Sequence, residues 1–197
     1  MNRVTGVGVP VEVRLRESRN GVLYANFSLA YRTGDRYARL PVVAFGVLAE
    51  RAAVLEGQPV VLGGYLQEYT TEEGHRRMQV VAQELFGADL PTFTAPMGHP
   101  VVDGYARAEL SGLVALDPKP LVGAVGLRLA VRYPMGTRQG ETFALVVVPG
   151  GKPEAFGKGM RLFAEGALLA RKGRPEVVDL LAGRVVPARV AAEVAAV

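Results

Sequence analysis

The chain has 197 residues, 49% of them apolar and 21% charged, with no Cys, no Trp and a formal net charge of +4 at neutral pH. That much apolar material can bury a core, which excludes disordered and collagen-like chains, and the length suits one ordinary domain or two small ones. The lack of Cys removes disulfides, thiolate nucleophiles and thiolate metal sites, and no uncharged apolar run reaches the roughly 18 residues that cross a bilayer, so a cytoplasmic protein without a membrane span is expected.

From the N-terminus, Met1-Asn2-Arg3-Val4 leads into a Gly- and Pro-interrupted segment that soon meets Glu12, unlike a signal peptide. Five segments then alternate apolar with polar residues or are β-branched: 9–16, 22–32, 36–45, 59–69 and 76–85. Turn signals at Asn20-Gly21, Thr33-Gly34 and Glu73-Gly74 separate strands of this kind. Leu48, Ala52 and Leu55 recur at helical spacing with Gly57 as a stop, which predicts one helix over 47–56, between the third and fourth strands.

Pro91, Pro96, Gly98 and Pro100 fall among short polar residues with no persistent period, so residues 89–104 read as a linker between a first unit, 1–88, and a second, 105–197. The second unit repeats the plan, with strands predicted over 109–116, 124–132, 141–148, 160–170 and 176–186, and the short stretch 153–157 in the place of the helix. The repeat is visible in the letters, because residues 25–32 (ANFSLAYR) align with 125–132 (VGLRLAVR). Charge is unequal between the halves. Residues 1–90 carry 10 basic against 10 acidic side chains, and 91–197 carry 13 against 9.

Five strands with a helix between the third and fourth is the order of the OB-fold, a five-stranded Greek-key barrel, although small SH3-like barrels and half of a sandwich have similar segment lengths. The all-β expectation is therefore two tandem OB-folds, each with a short helix between strands 3 and 4.

The stretch VVAFGVLAERAAVLEGQPVVLGGYL from Val42 resembles the bacterial single-stranded DNA-binding protein family at its third strand, helix and fourth strand. GVLYANFSLAYR from Gly21 and YTTEEGHRRMQVVAQEL from Tyr69 resemble the family's second strand and the hairpin leading to its fifth. In the second half, ELSGLVALDP from Glu109 and AFGKGMRLFAEGALL from Ala155 are similar to its opening strand and its approach to the fourth. Two copies in one chain resemble the family's tandem form, in which a homodimer supplies four folds. The family's acidic C-terminal tail is missing from the final residues 191–197.

The resemblance implies a non-enzymatic protein that needs no cofactor and binds single-stranded DNA in replication, repair or recombination. Such a surface interleaves aromatic platforms with Arg or Lys along one groove. Phe45 falls where the resemblance puts a stacking aromatic, Tyr69 where the family has a stacking Trp, and Arg39 where it often carries another aromatic. Strand alternation with Leu40, Val42 and Ala44 inward places Arg39, Pro41, Val43 and Phe45 on the outer face, and Tyr24 and Arg32 outward on the second strand. Arg32, Arg76 and Arg77 would contact phosphate.

On pattern alone, a Phe in such a strand is more often core, a Tyr near a hairpin more often covers an edge, and Arg76-Arg77 beside Glu72-Glu73 is commonly a solvated face. In the second half the positions aligned with 39, 41, 43 and 45 are Thr142, Ala144, Val146 and Val148, which give no aromatic platform. Its charge sits at Arg128, Arg132, Arg171, Lys172 and Arg174, which suits either weak attraction to a DNA backbone or a barrel kept for dimerisation and stability. His75 and His99 have no ligand-spaced partner, and no nucleophile, base and acid are arranged for catalysis, so no metal and no enzyme are expected. Two alternatives stay open: a scaffold that holds a replication or recombination protein with incidental DNA affinity, and an RNA-binding protein.

Overall fold

The computed structural model describes residues 1–71, 73–171 and 174–188, and the side chains of 171 and 174–177 lie outside that description. The strands are β1 (Asn2–Glu17), β2 (Leu23–Thr33) and β3 (Arg36–Phe45), then helix α1 (Val47–Val54), β4 (Val60–Thr70) and β5 (Arg76–Gly87). A small hairpin of β6 (Phe93–Thr94) and β7 (Pro100–Val101) follows. The second half contains β8 (Tyr105–Val114), β9 (Lys119–Leu121), β10 (Ala124–Met135), β11 (Arg138–Pro149), β12 (Arg161–Arg171) and β13 (Arg174–Pro187).

Pairings β1–β2, β2–β3, β3–β5, β5–β4 and β4–β1 close a five-stranded ring, antiparallel throughout except for β3–β5. This is an all-β barrel with the OB-fold order, and α1 lies between its third and fourth strands as the spacing predicts. Its interior holds Ala25, Phe27 and Leu29 from β2, Leu40, Val42 and Ala44 from β3, Leu62 and Leu66 from β4, and Val80 and Leu85 from β5. Each buried Leu contributes about 1.5–3 kcal/mol relative to exposure.

The same cycle of pairings recurs as β8–β10, β10–β11, β11–β13, β13–β12 and β12–β8, with β11–β13 as the parallel pair. The helix slot differs. Pro153–Ala155 forms only a 3₁₀ turn, because Pro153 supplies no N–H and three residues cannot complete an α-helical turn. The expectation of a helix in both barrels is corrected on that point.

β1 also pairs with β8, Asn2 to Val7 against Leu110 to Tyr105, so one 11-stranded sheet runs through both rings. β1 begins seven residues before its expected start. Gly6 and Gly8 read as breakers, yet they lie in the strand where Leu29 packs close to the backbone, and a Cβ on Gly8 would lie 2.7 Å from Leu29 Cγ. The core is likewise continuous, with residues of both rings in one hydrophobic cluster.

The stretch 89–104 is more ordered than a plain linker. Its β6–β7 hairpin places Ala95, Val101 and Val102 on Val9, Val11 and Ala30, a small apolar cluster outside the barrel. Among the described residues, no helix is long and apolar enough to cross a membrane.

Candidate nucleic-acid interface

β3 carries the alternation that builds the site. Leu40, Val42 and Ala44 face the core, which turns Tyr37, Arg39, Pro41, Val43 and Phe45 to the outer face. On β2 the inward Ala25, Phe27 and Leu29 leave Tyr24, Asn26 and Ser28 on that same face. Val43 is only 3% exposed although it faces outward, being paired with Asn26 on one side and Val81 on the other.

A groove of about 990 Å³ runs over this face. Ser28 of β2 and Arg36, Tyr37, Arg39 and Pro41 of β3 line it, Tyr69 and Arg77 of the β4–β5 hairpin stand in its wall, and Glu12, Met97, Leu169 and Ala170 complete it. Tyr69 and Arg77 are register partners across β4 and β5. The Arg77 Nε is buried without a hydrogen-bond partner among the described residues, an unpaired donor that a ligand acceptor would satisfy.

Arg39 lies beside Glu12, its Nη2 2.6 Å from the carboxylate Oε2. The close Arg39 guanidinium holds the Glu12 carboxyl below its ordinary range. The pair is a close charge-assisted contact, and the Nη2 atom is buried in it.

Phe45 stands outside this groove, six residues or about 20 Å along β3 from Arg39. It is 47% exposed, and its ring centroid is 6.3 Å from that of Tyr24, its register partner on β2, with the rings tilted by 38°. The two rings form an uncovered aromatic pair at the end of the same face.

The remaining expected residues are dispersed. Arg32 makes a two-pronged pair with Asp103, Nε to Oδ1 at 2.7 Å and Nη2 to Oδ2 at 2.9 Å, and its guanidinium lies 4.0 Å over the Phe93 ring. It pins the connector to β2. Arg76 and Arg128 approach one oxygen of Glu68, at 3.9 and 3.8 Å, from the two different barrels. Arg132 is exposed in a separate basin of about 630 Å³ that Arg138 and Arg161 also line. Lys172 and the side chains of Arg171 and Arg174 lie outside the described residues.

The second barrel corrects the expectation for its third strand. Thr142, Ala144 and Val146 point inward, Thr142 with 0% exposure, because the β2–β3 and β10–β11 hairpins differ in length. Ala30 pairs with Arg39, nine residues on, whereas the aligned Ala130 pairs with Phe143, thirteen on. Phe143, with Leu145 and Val147, therefore takes the outer face, and a half-buried aromatic occupies the position matching Arg39. A slip of one residue exchanges the two faces of a strand.

Tyr37, Arg36 and Phe143 escaped the sequence reading. Tyr37 was legible, since the alternation that places Arg39 outward reaches it two residues nearer the turn; the others depend on the hairpins. Among the described residues no three His, Cys, Asp or Glu side chains gather as a metal site would require.

No protein-family model matches the sequence, and a search of curated proteins finds no match. The fold does match. Over 96% of this chain and 94% of the other, it superposes on the crystal structure of the wild-type single-stranded DNA binding protein from Thermus aquaticus with a TM-score of 0.69 at 19% identity. A deletion mutant of that protein aligns over 96% of this chain and 95% of its own, with a TM-score of 0.70 at 18% identity. The chain thus shares the OB-fold barrel architecture of those structures.

Proposed function

We propose that this chain is a non-enzymatic, sequence-tolerant single-stranded DNA-binding protein built from tandem OB-folds. The observation that carries the reading is the groove on the outer face of β3, where Tyr37 and Tyr69 are interleaved with Arg36, Arg39 and Arg77. Unpaired bases stack on aromatic faces while guanidinium groups take the phosphates, and neither contact reads a base edge, so the binding tolerates sequence. Phe45 and Tyr24 extend the track as a second platform. The fold likeness to the Thermus aquaticus single-stranded DNA binding protein supports the same reading.

In this reading residues 1–88 form the stacking barrel and 105–197 the second fold, with Phe143 its aromatic and Arg128 and Arg132 its charge. A homodimer assembles four folds, with a solution mass twice the 21.0 kDa of the chain, and the protein serves replication, repair or recombination in the cytoplasm. Gel-shift titration with oligo-dT at two salt concentrations tests the core claim. Binding is expected to weaken steeply with salt and to exceed that for a duplex of equal length; equal affinity for both forms would sink it.

A second reading is favoured by two observations: Arg39 is already paired with Glu12, and Arg32 with Asp103. Cations satisfied internally suit a scaffold that uses this face to hold a replication or recombination protein. Under that reading Phe45→Ala leaves DNA affinity unchanged.

A further inference from the structure

Glu12 is the one acidic side chain among the described residues that line the groove, and it is set there by unusual backbone. Its φ is +56°, the only positive value at a non-glycine among the described residues. It lies where the β1–β2 register shifts between Val11 and Arg14. Glycine would take this left-handed conformation without a steric penalty, yet a long acidic side chain is used. The bulge directs that chain onto β3, where Oε2 meets Arg39 Nη2 at 2.6 Å and Oε1 lies 3.8 Å from His99 Nε2 of the connector.

The other two groove arginines contrast with Arg39. Arg36 and Arg77 have no carboxylate partner among the described residues, so Arg39 alone is neutralised before any ligand arrives. A carboxylate and a backbone phosphate present the same kind of oxygen to a guanidinium, and each satisfies it by charge-assisted contact. With Glu12 in place Arg39 Nη2 is buried, so a phosphate reaches that nitrogen only when the carboxylate moves aside. The Glu12 side chain is half exposed and lies outside the hydrophobic core, so it can swing away from β3 without disturbing that core.

Resting on the single-stranded DNA reading, we infer that Glu12 is an internal stand-in for phosphate, occupying Arg39 in the free protein and displaced by a backbone phosphate of the incoming strand. It sets the affinity of the groove. A strand gains this edge of Arg39 only by first displacing the carboxylate.

The test is a double-mutant cycle read by oligo-dT titration at low salt, with the wild type, Glu12→Gln, Arg39→Ala and the double variant. Glu12→Gln keeps the backbone and the side-chain length. It is expected to tighten binding about 3- to 10-fold, as release of one charge-assisted competitor permits. In the Arg39→Ala background the same change is expected to give almost no gain. Glu12→Gly, which removes both the carboxylate and the left-handed strain, is expected to tighten binding to a similar degree, and melting curves of all variants report that each is folded.

A gain of equal size in both backgrounds would mean only long-range charge repulsion and would overturn the inference, as would a wild type that binds while Glu12→Gln binds no better. Absence of oligo-dT binding by all four folded proteins would overturn it together with the functional reading beneath it. The two failures are thereby told apart.

Discussion

Phe45 and Arg39 share one face of β3 and do different work there. Phe45 is half exposed, with its ring beside that of Tyr24, so its removal subtracts a stacking surface and less packing than a core ring would. Phe45→Ala is expected to weaken oligo-dT binding by about 1–3 kcal/mol, roughly 5- to 150-fold, with the melting temperature nearly unchanged. The absence of Trp makes tyrosine fluorescence quenching a convenient readout. Affinity within twofold of the wild type would favour the scaffold. At this scale the sequence was partly legible: alternation turns Arg39 and Phe45 to the outer face of β3, and the structure has both there, outside the core. The internal engagement of Arg32, Arg39, Arg76 and Arg128 was not legible, because their partners Asp103, Glu12 and Glu68 are brought close only by strand pairing and the connector.

Among the elements, the fourth strand of each ring shows how much a single glycine decides. Register shifts occur between Gly63 and Gly64 in β4 and between Glu165 and Gly166 in β12, at matching places in the two cycles. A Cβ at Gly64 would lie 2.2 Å from the Val81 carbonyl oxygen, and one at Gly166 would lie 2.0 Å from that of Leu181. The extra residue falls on the partner strand, Gln83 in β5 and Gly183 in β13, and lets that strand bend around its barrel. Gly64→Ala must push two backbones apart and is expected to cost at least about 1–3 kcal/mol, read as a lowered denaturation midpoint with an unchanged m-value. A midpoint equal to the wild type would show that β4 shifts freely.

The elements also mark where pattern reading runs out. Strand periods located all five strands of each ring, but the length of the β10–β11 hairpin leaves no signature in Pro134-Met135-Gly136-Thr137-Arg138-Gln139, so the outer face of β11 was assigned one residue out. Prolines hid the β6–β7 hairpin for a related reason. Its order comes from the Arg32–Asp103 fork and the apolar contacts with Val9 and Ala30, which are distant in sequence.

At the scale of the whole molecule the rings are tied by polar and aromatic contacts as well as by the shared core. The Tyr31 hydroxyl donates to the Leu168 carbonyl at 3.1 Å, the Glu68 N–H donates to Thr142 Oγ1 at 2.8 Å, and the Tyr65 and Tyr133 rings stack 5.7 Å apart. Within the first ring, Asn2 pairs through its amide with both backbone groups of Leu66.

Burial raises the Tyr31 phenol from its ordinary 10.0 to about 12. A group whose pKa rises on folding contributes stability that is intact below its unfolded value and lost as pH climbs through its folded one, so this contribution fades between about pH 10 and 12. Denaturation midpoints at pH 8 and pH 11.5 should show the loss. Tyr31→Phe should cost about 1 kcal/mol at pH 8 and flatten part of that alkaline decline. An identical decline in both proteins would assign it elsewhere.

The pairing of β1 with β8 leaves the peptide between residues 88 and 92 with little mechanical duty. A protease that nicked the chain there would yield two fragments that elute as one particle, and new termini could be opened at that point with the old ones left as they are. Whatever pulls on this protein must peel a sheet apart before it can stretch a tether.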